Sequence, residues 1–161
     1  MDEILEILEK DGRTSIEDIA KMLRKKPADV KRAISKYEKE GIILKYKAVI
    51  NRELIKENAT EVRALIEVNL TPQKDLGFDK IAERIYSFPE VSSCYLVSGT
   101  YDLLLIVRGK DLHAVARFVA EKLSPMDHVR GFVTHFLLKK YKEDGVVLKQ
   151  KEENKRIAIS Y

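Results

Sequence analysis

Cations are the reactive groups that this chain concentrates. Between Ala20 and Arg52 it carries eleven lysines and arginines, at 21, 24, 25, 26, 31, 32, 36, 39, 45, 47 and 52, against three acids at 29, 38 and 40. That stretch is therefore +8 while all 161 residues together are only +4. Clustered ammonium and guanidinium groups neutralise phosphates and displace the counterions condensed on a duplex, and arginine can also read guanine through a two-bond fork. Little else invites catalysis. His113, His128 and His135 do not stand with Cys94 or with carboxylates at a metal-ligand spacing, and no P-loop, dinucleotide fingerprint or nucleophile elbow occurs. No metal, no cofactor and no enzymatic activity are expected.

The elements that must present the cations are legible from periodicity. In 15–25, Ile16, Ile19, Ala20 and Leu23 recur at three- and four-residue spacing and line one face of a short helix. A second helix follows from Pro27, which suits a first helical position, to Gly41, which suits an exit, with Val30, Ala33, Ile34 and Tyr37 as its buried stripe. Two short helices across a tight turn, the second carrying exposed cations, form a helix-turn-helix whose second helix enters the major groove. After Gly41, Ile43, Lys45 and Lys47 alternate with Leu44, Tyr46 and Ala48, which predicts a strand with both lysines on one face, as on the wing of a winged helix. An earlier helix over 2–10, with Ile4, Leu5 and Leu8 inward, braces the pair and stops at Gly12. Thr14 and Ser15 can each cap the next helix, and Thr14 with Glu17 fits a reciprocal capping pattern.

Residues 51–61 lack periodicity and read as a linker. From 62 the signals run strand, helix, strand, strand, helix, strand. Val62, Ala64, Ile66, Val68 and Leu70 alternate; 79–88 is helical with Ile81, Ala82, Ile85 and Phe88 inward; 91–98 and 101–107 are apolar runs joined across Gly99. A helix over 111–123 is expected to bury Leu112, Val115, Ala116, Val119 and Leu123, and 131–141 supplies a fourth strand. The fold class is thus α+β, a winged helix-turn-helix domain over 1–50 followed by a ferredoxin-like βαββαβ domain over 62–144. A tail over 145–161 holds two β-like pieces, at 146–149 and 156–161, and could extend the sheet, reach a neighbour or end raggedly. Both faces of the strands are rich in large apolar residues, so a second copy of the chain is the expected cover for the face away from the helices.

A lone cysteine, and the lack of an apolar leader or an eighteen-residue apolar run, predict a cytoplasmic chain with no membrane partner. Abundant Lys and Glu with few Gln and Asn suggest heat adaptation.

Asp11-Gly12-Arg13, Ser15, Pro27 and Glu40-Gly41-Ile42-Ile43 with Tyr46 resemble the DNA-binding domain of the leucine-responsive/AsnC (Lrp/AsnC, feast/famine) transcriptional regulators. Two departures are Lys26, where that family has a small polar cap, and Ala33, where an arginine is common and Arg32 stands beside it. On this reading Arg32, Ser35 and Lys36 reach bases of double-stranded DNA, while Lys25, Lys26, Lys31, Lys45 and Lys47 contact phosphates.

The run Ser98-Gly99-Thr100-Tyr101-Asp102 resembles the same family's effector-sensing hairpin. Taken as residues, it has two readings. Exposed N–H groups around a glycine can hold a carboxylate while an aspartate pairs with an ammonium, or the glycine merely makes the turn and the aspartate bonds its own loop. The resemblance implies the first: an amino-acid effector held by Ser98, Gly99, Thr100, Tyr101, Asp102 and Thr134, in a homodimer that assembles into tetramers, octamers or larger rings. Other readings are an effector-free architectural DNA-binding protein, or an enzyme acting on tetrapyrroles through His113 or His135. Base stacking on the sheet is disfavoured because residues 101–109 lack the aromatic pair of an RNA-recognition module.

Overall fold

Capping decides where the amino-terminal helices start and stop. In the computed structural model, which describes residues 2–55, 61–71 and 77–148, α1 (Glu3–Lys10) is capped by the Asp2 carboxylate, one oxygen of which accepts from the Ile4 N–H at 2.8 Å. The other oxygen accepts the Tyr37 hydroxyl at 2.7 Å, and these two bonds, the tyrosine's first, hold the Asp2 carboxyl below its ordinary range. Ser15 caps α2 (Ile16–Leu23), accepting from the Asp18 N–H and donating to the Asp18 carboxylate. Thr14 does not share that role, contrary to the sequence reading, because its hydroxyl donates to the Asp11 carbonyl inside the preceding turn.

Both later helices end in Schellman turns, which satisfy carbonyls that would otherwise be orphaned. At the end of α3 (Pro27–Lys39) the Ile42 N–H bonds the Tyr37 carbonyl and the Gly41 N–H bonds that of Glu38, with Gly41 at φ 70°. At the end of α2 the same turn is made without glycine, Arg24 sitting at φ 52°. The three helices close over Ile4, Ile19, Ala20 and Val30, and Ala33, Ile34 and Tyr37 pack against them as the stripe predicted.

The strand expected after Gly41 does not form: residues 44–51 belong to no ladder. A strand needs a neighbour for its N–H and C=O groups, and no strand among the described residues pairs with this segment. Leu44 is 87% exposed. Tyr46 anchors this segment, its hydroxyl donating to Glu38 at 3.1 Å and its ring lying where a Cβ on Gly12 would come within 3.2 Å. The chain divides into two units, Met1–Ile50 and Asn51–Tyr161.

In the second unit β1 (Val62–Leu70), β2 (Val91–Leu96), β3 (Leu103–Gly109) and β4 (Val129–Phe136) form one antiparallel sheet in the order β2-β3-β1-β4. The helices α4 (Gly77–Tyr86) and α5 (Leu112–Phe118) pack on one face, where Ala64, Ile66, Val68, Leu103, Leu105 and Val107 are buried with Ile81, Ile85, Val115 and Phe118. The alternation in β1 is as the sequence indicated. The last helix differs. It is capped by Asp111, then widens into a π-helical turn over Val119–Leu123. Its buried stripe is Val115, Phe118, Val119 and Leu123, so Leu112, at the first helical position, stays 53% exposed and Ala116 faces outward. Phe118 claims the inward place because its ring stacks edge-on against Phe88, centroids 5.8 Å apart.

Gly109 lets α5 approach β3. A Cβ there would lie 3.0 Å from Val115 Cγ2 and 3.1 Å from both Ala114 Cβ and the Asp111 carbonyl. Gly109→Ala is expected to destabilise the unit by about 1–3 kcal/mol through overpacking, read as a lower urea midpoint at unchanged m.

Of the tail, residues to 148 are described. They do not extend the main sheet; instead β5 (Lys142–Glu143) and β6 (Val146–Val147) form a separate hairpin. Asp144 and Gly145 both have positive φ, as a type I′ turn requires, a signal the Asp-Gly pair already carried in the sequence. The second β-like piece lies outside the described residues. Glu143 ties the hairpin to β1, its carboxylate bonding Lys140 at 2.5 Å and Arg63 at 2.7 Å, and those cations, Lys140 first, depress its pKa to about 2. Its folded pKa lies below the ordinary 4.5, so this contribution is complete above pH 4.5 and is lost as pH falls toward 2. The protection of the Leu148 amide, which bonds the Tyr141 carbonyl, should fall across that window once the intrinsic pH dependence of exchange is divided out, and Glu143→Gln should abolish that fall.

Candidate functional site

The cations reach the surface by helical phase. Lys31, Arg32, Ser35, Lys36 and Lys39, at three- and four-residue spacing on α3, line an open trough that ends at Glu40. The apolar stripe on the opposite side, Val30, Ala33, Ile34 and Tyr37, fixes that orientation against α1 and α2. A three-residue turn, 24–26, leads into α3. Lys26 occupies the cap position in extended backbone without a side-chain cap bond, and Pro27 removes one N–H that would have needed it.

Of the residues the sequence nominated, Arg32, Ser35, Lys36 and Lys31 come together in this trough. Lys25 and Lys26 lie in the turn before it, and Lys45 and Lys47 stand exposed on the segment after Gly41. Lys39 was missed, although its spacing from Ser35 and Lys36 carried the signal. Also missed were two acids on the same helix. Asp29 bonds Arg32 by a short contact between Oδ1 and Nη2, and Glu40 lies 3.8 Å from Lys36. Lys25 lies 4.0 Å from Glu3.

The second candidate is the connection between β2 and β3. Ser98, Gly99 and Thr100 are exposed, Tyr101 is half-buried, and Gly99 adopts φ 151° with open space where a Cβ would be. Asp102 joins this loop to the end of β1. Its N–H donates to the Val68 carbonyl at 3.0 Å, and its Oδ2 accepts from the Leu70 N–H at 2.7 Å. The carboxylate expected to pair with an ammonium, or else with its own loop, already serves a neighbouring strand through one oxygen. Thr134 is not brought to the hairpin within one chain. It lies on β4 opposite Ile66, and β1 stands between β4 and β3.

Among the described residues no element covers the sheet's other face. By register it carries the rows Tyr95–Leu104–Glu67–Val133 and Ser93–Ile106–Leu65–His135. Tyr95 is 51% and Val133 49% exposed, and the polar members meet each other, His135 Nε2 lying 3.2 Å from Glu67 Oε1. Among the described residues no group of His, Cys, Asp and Glu could hold a metal, and no helix is long and apolar enough to cross a membrane.

Two family models match the chain: a winged helix-turn-helix DNA-binding domain over residues 3–43 and an Lrp/AsnC ligand binding domain over residues 63–147. The chain is 48% identical over 158 residues to the HTH-type transcriptional regulator YugG of Bacillus subtilis (strain 168), covering 98% of this chain and 95% of that one. It is 38% identical over 118 residues to the HTH-type transcriptional regulator LysM of Saccharolobus solfataricus, covering 73% and 78%. A transcriptional regulator from Neisseria meningitidis, solved in complex with L-Met, superposes with a TM-score of 0.70 at 26% identity, over 89% of this chain and 93% of that one.

Proposed function

The chain belongs to the Lrp/AsnC family of DNA-binding transcriptional regulators, and from that premise we propose how it engages DNA and what controls it. Its α3 lies in the major groove, with Arg32, Ser35 and Lys36 at base edges. Lys25, Lys26, Lys31, Lys45 and Lys47 neutralise phosphates, and Lys39 joins them. The observation that carries this reading is the single cationic stripe of α3, held outward by an apolar stripe on its other side.

The protein acts as a dimer closed over the open sheet face, because large apolar patches on a soluble chain mark association. Paired heads then read two half-sites a whole number of turns apart, about 10 base pairs each. Dimers join into tetramers or larger assemblies. An amino acid or similar effector binds at Ser98–Asp102, and Thr134 completes the pocket only if a second subunit brings it there. The methionine complex of the Neisseria relative supports that ligand class. The regulator works in the cytoplasm, where its DNA is, and performs no chemistry on its ligand.

Binding measured against a series of duplexes and salt concentrations tests the DNA arm. Arg32→Ala should relax preference at one base pair and cost about 1–3 kcal/mol on the preferred site. Lys45→Ala should weaken every duplex about equally and flatten the salt dependence. A wild type that ranks all duplexes alike would make the chain an architectural DNA-binding protein instead.

A further inference from the structure

The recognition helix carries a carboxylate bonded to the arginine of its cationic trough. Asp29 lies in the first turn of α3, and its Oδ1 takes one N–H of the Arg32 guanidinium at Nη2. The two side chains are 46% and 80% exposed. A pair this wet adds little to folding, and on a phosphate-facing surface an acid opposes binding to every sequence. The helix dipole favours an acid in a first turn, which explains a carboxylate near this position but not its bond to the arginine of the trough.

We propose that Asp29 is a specificity-determining positioning residue, holding the Arg32 fork in the orientation from which it reads a base. The inference rests on the DNA reading above. A guanidinium has five N–H donors in a rigid plane, so the bond to Asp29 leaves a full edge for the two acceptors of guanine while restricting rotation about a long flexible stem. A preformed fork loses less freedom on binding, and it loses it only at the base pair that it fits. The same carboxylate repels phosphates at every site. Asp29 therefore lowers binding to all sequences and lowers it least where Arg32 finds its base. Glu40 stands in no such relation to Lys36, whose ammonium is a point charge at 3.8 Å without a fork to orient.

The test uses the full chain and a pool of randomised duplex DNA, from which wild type, Asp29→Ala, Asp29→Asn, Arg32→Ala and the Asp29→Ala/Arg32→Ala double variant each select their preferred sequences. Thermal midpoints confirm that each variant is folded. Wild type should enrich a motif, and Arg32→Ala should lose about tenfold or more of the discrimination at one base pair in it. Asp29→Ala should lose discrimination at that same base pair while binding unrelated duplexes more tightly than wild type. Asp29→Asn, which keeps an acceptor oxygen, should retain part of the preference. The double variant should discriminate no worse than Arg32→Ala alone, because the aspartate acts only through the arginine. If Arg32→Ala relaxes the motif and Asp29→Ala leaves it intact, the positioning role is wrong and the DNA reading stands. If wild type enriches nothing, or Arg32→Ala keeps the full preference, both fall together.

Discussion

Ile106→Glu is expected to give folded monomers that bind DNA weakly. Ile106 lies near the middle of the uncovered face, in register with Leu65 on β1 and Ser93 on β2. In one chain the side chain is only half-buried, so a carboxylate can stay wet and the fold should survive. In a dimer closed over this face the same carboxylate is driven into an apolar contact beside Leu65 and Leu104, with Glu67 nearby as a like charge. An unpaired buried charge costs about 3–5 kcal/mol, and a two-fold interface contains the change twice. Dimer dissociation should therefore rise by at least on the order of 10⁴-fold. Sedimentation would show a monomer, circular dichroism would show unchanged secondary structure, and affinity for a two-half-site duplex would collapse to that of a single head. A dimer that persists in Ile106→Glu would show that the subunits meet elsewhere.

The second large effect would separate the bond that Asp102 makes to β1 from the effector contact proposed for it. Asp102→Asn retains an oxygen for the Leu70 N–H and loses the charge, whereas Asp102→Ala loses both. Leaving that amide without its acceptor should cost about 1–3 kcal/mol of stability, so the alanine variant should melt early and the asparagine variant should not. Both should lose most of the response to an amino acid, since a charged hydrogen bond to an ammonium contributes about 1.5–3 kcal/mol. A thermal-shift screen of amino acids on wild type supplies the ligand, and light scattering then follows assembly of all three proteins with it. A ligand shifts assembly only by its difference in affinity between assembled and separate dimers, so a variant with weakened binding should show a weakened shift. An asparagine variant that responds like wild type would leave Asp102 as a stitch between hairpin and sheet.

Much of this was legible without coordinates, because it depends on near neighbours in sequence. Three- and four-residue spacing placed the faces of α2 and α3, two-residue spacing placed that of β1, and Pro27 and Gly41 marked ends that their own backbone conformations impose. The cationic cluster is a property of composition, and its facing followed from which side of α3 is apolar. The Asp144-Gly145 turn was equally local.

Where the structure departs from the sequence reading or adds to it, the reason is a contact that periodicity cannot show. Residues 44–51 have the alternation of a strand, but among the described residues they join no ladder. Leu112 and Ala116 were nominated by period alone, but the π turn and the Phe88–Phe118 contact decide which stripe of the last helix meets the sheet. Asp102 had two readings from the sequence, and only the fold brings β1 alongside to offer it the Leu70 amide; within one chain β1 also stands between Thr134 and the hairpin. Asp29 counts in the sequence only as one charge against a +8 stretch; the structure makes it the partner of Arg32. The sequence alone thus determined which faces are apolar and where the cations lie, because periodicity and charge are local. The tertiary structure decided which polar groups are already engaged, because a hydrogen bond is set by distance in space.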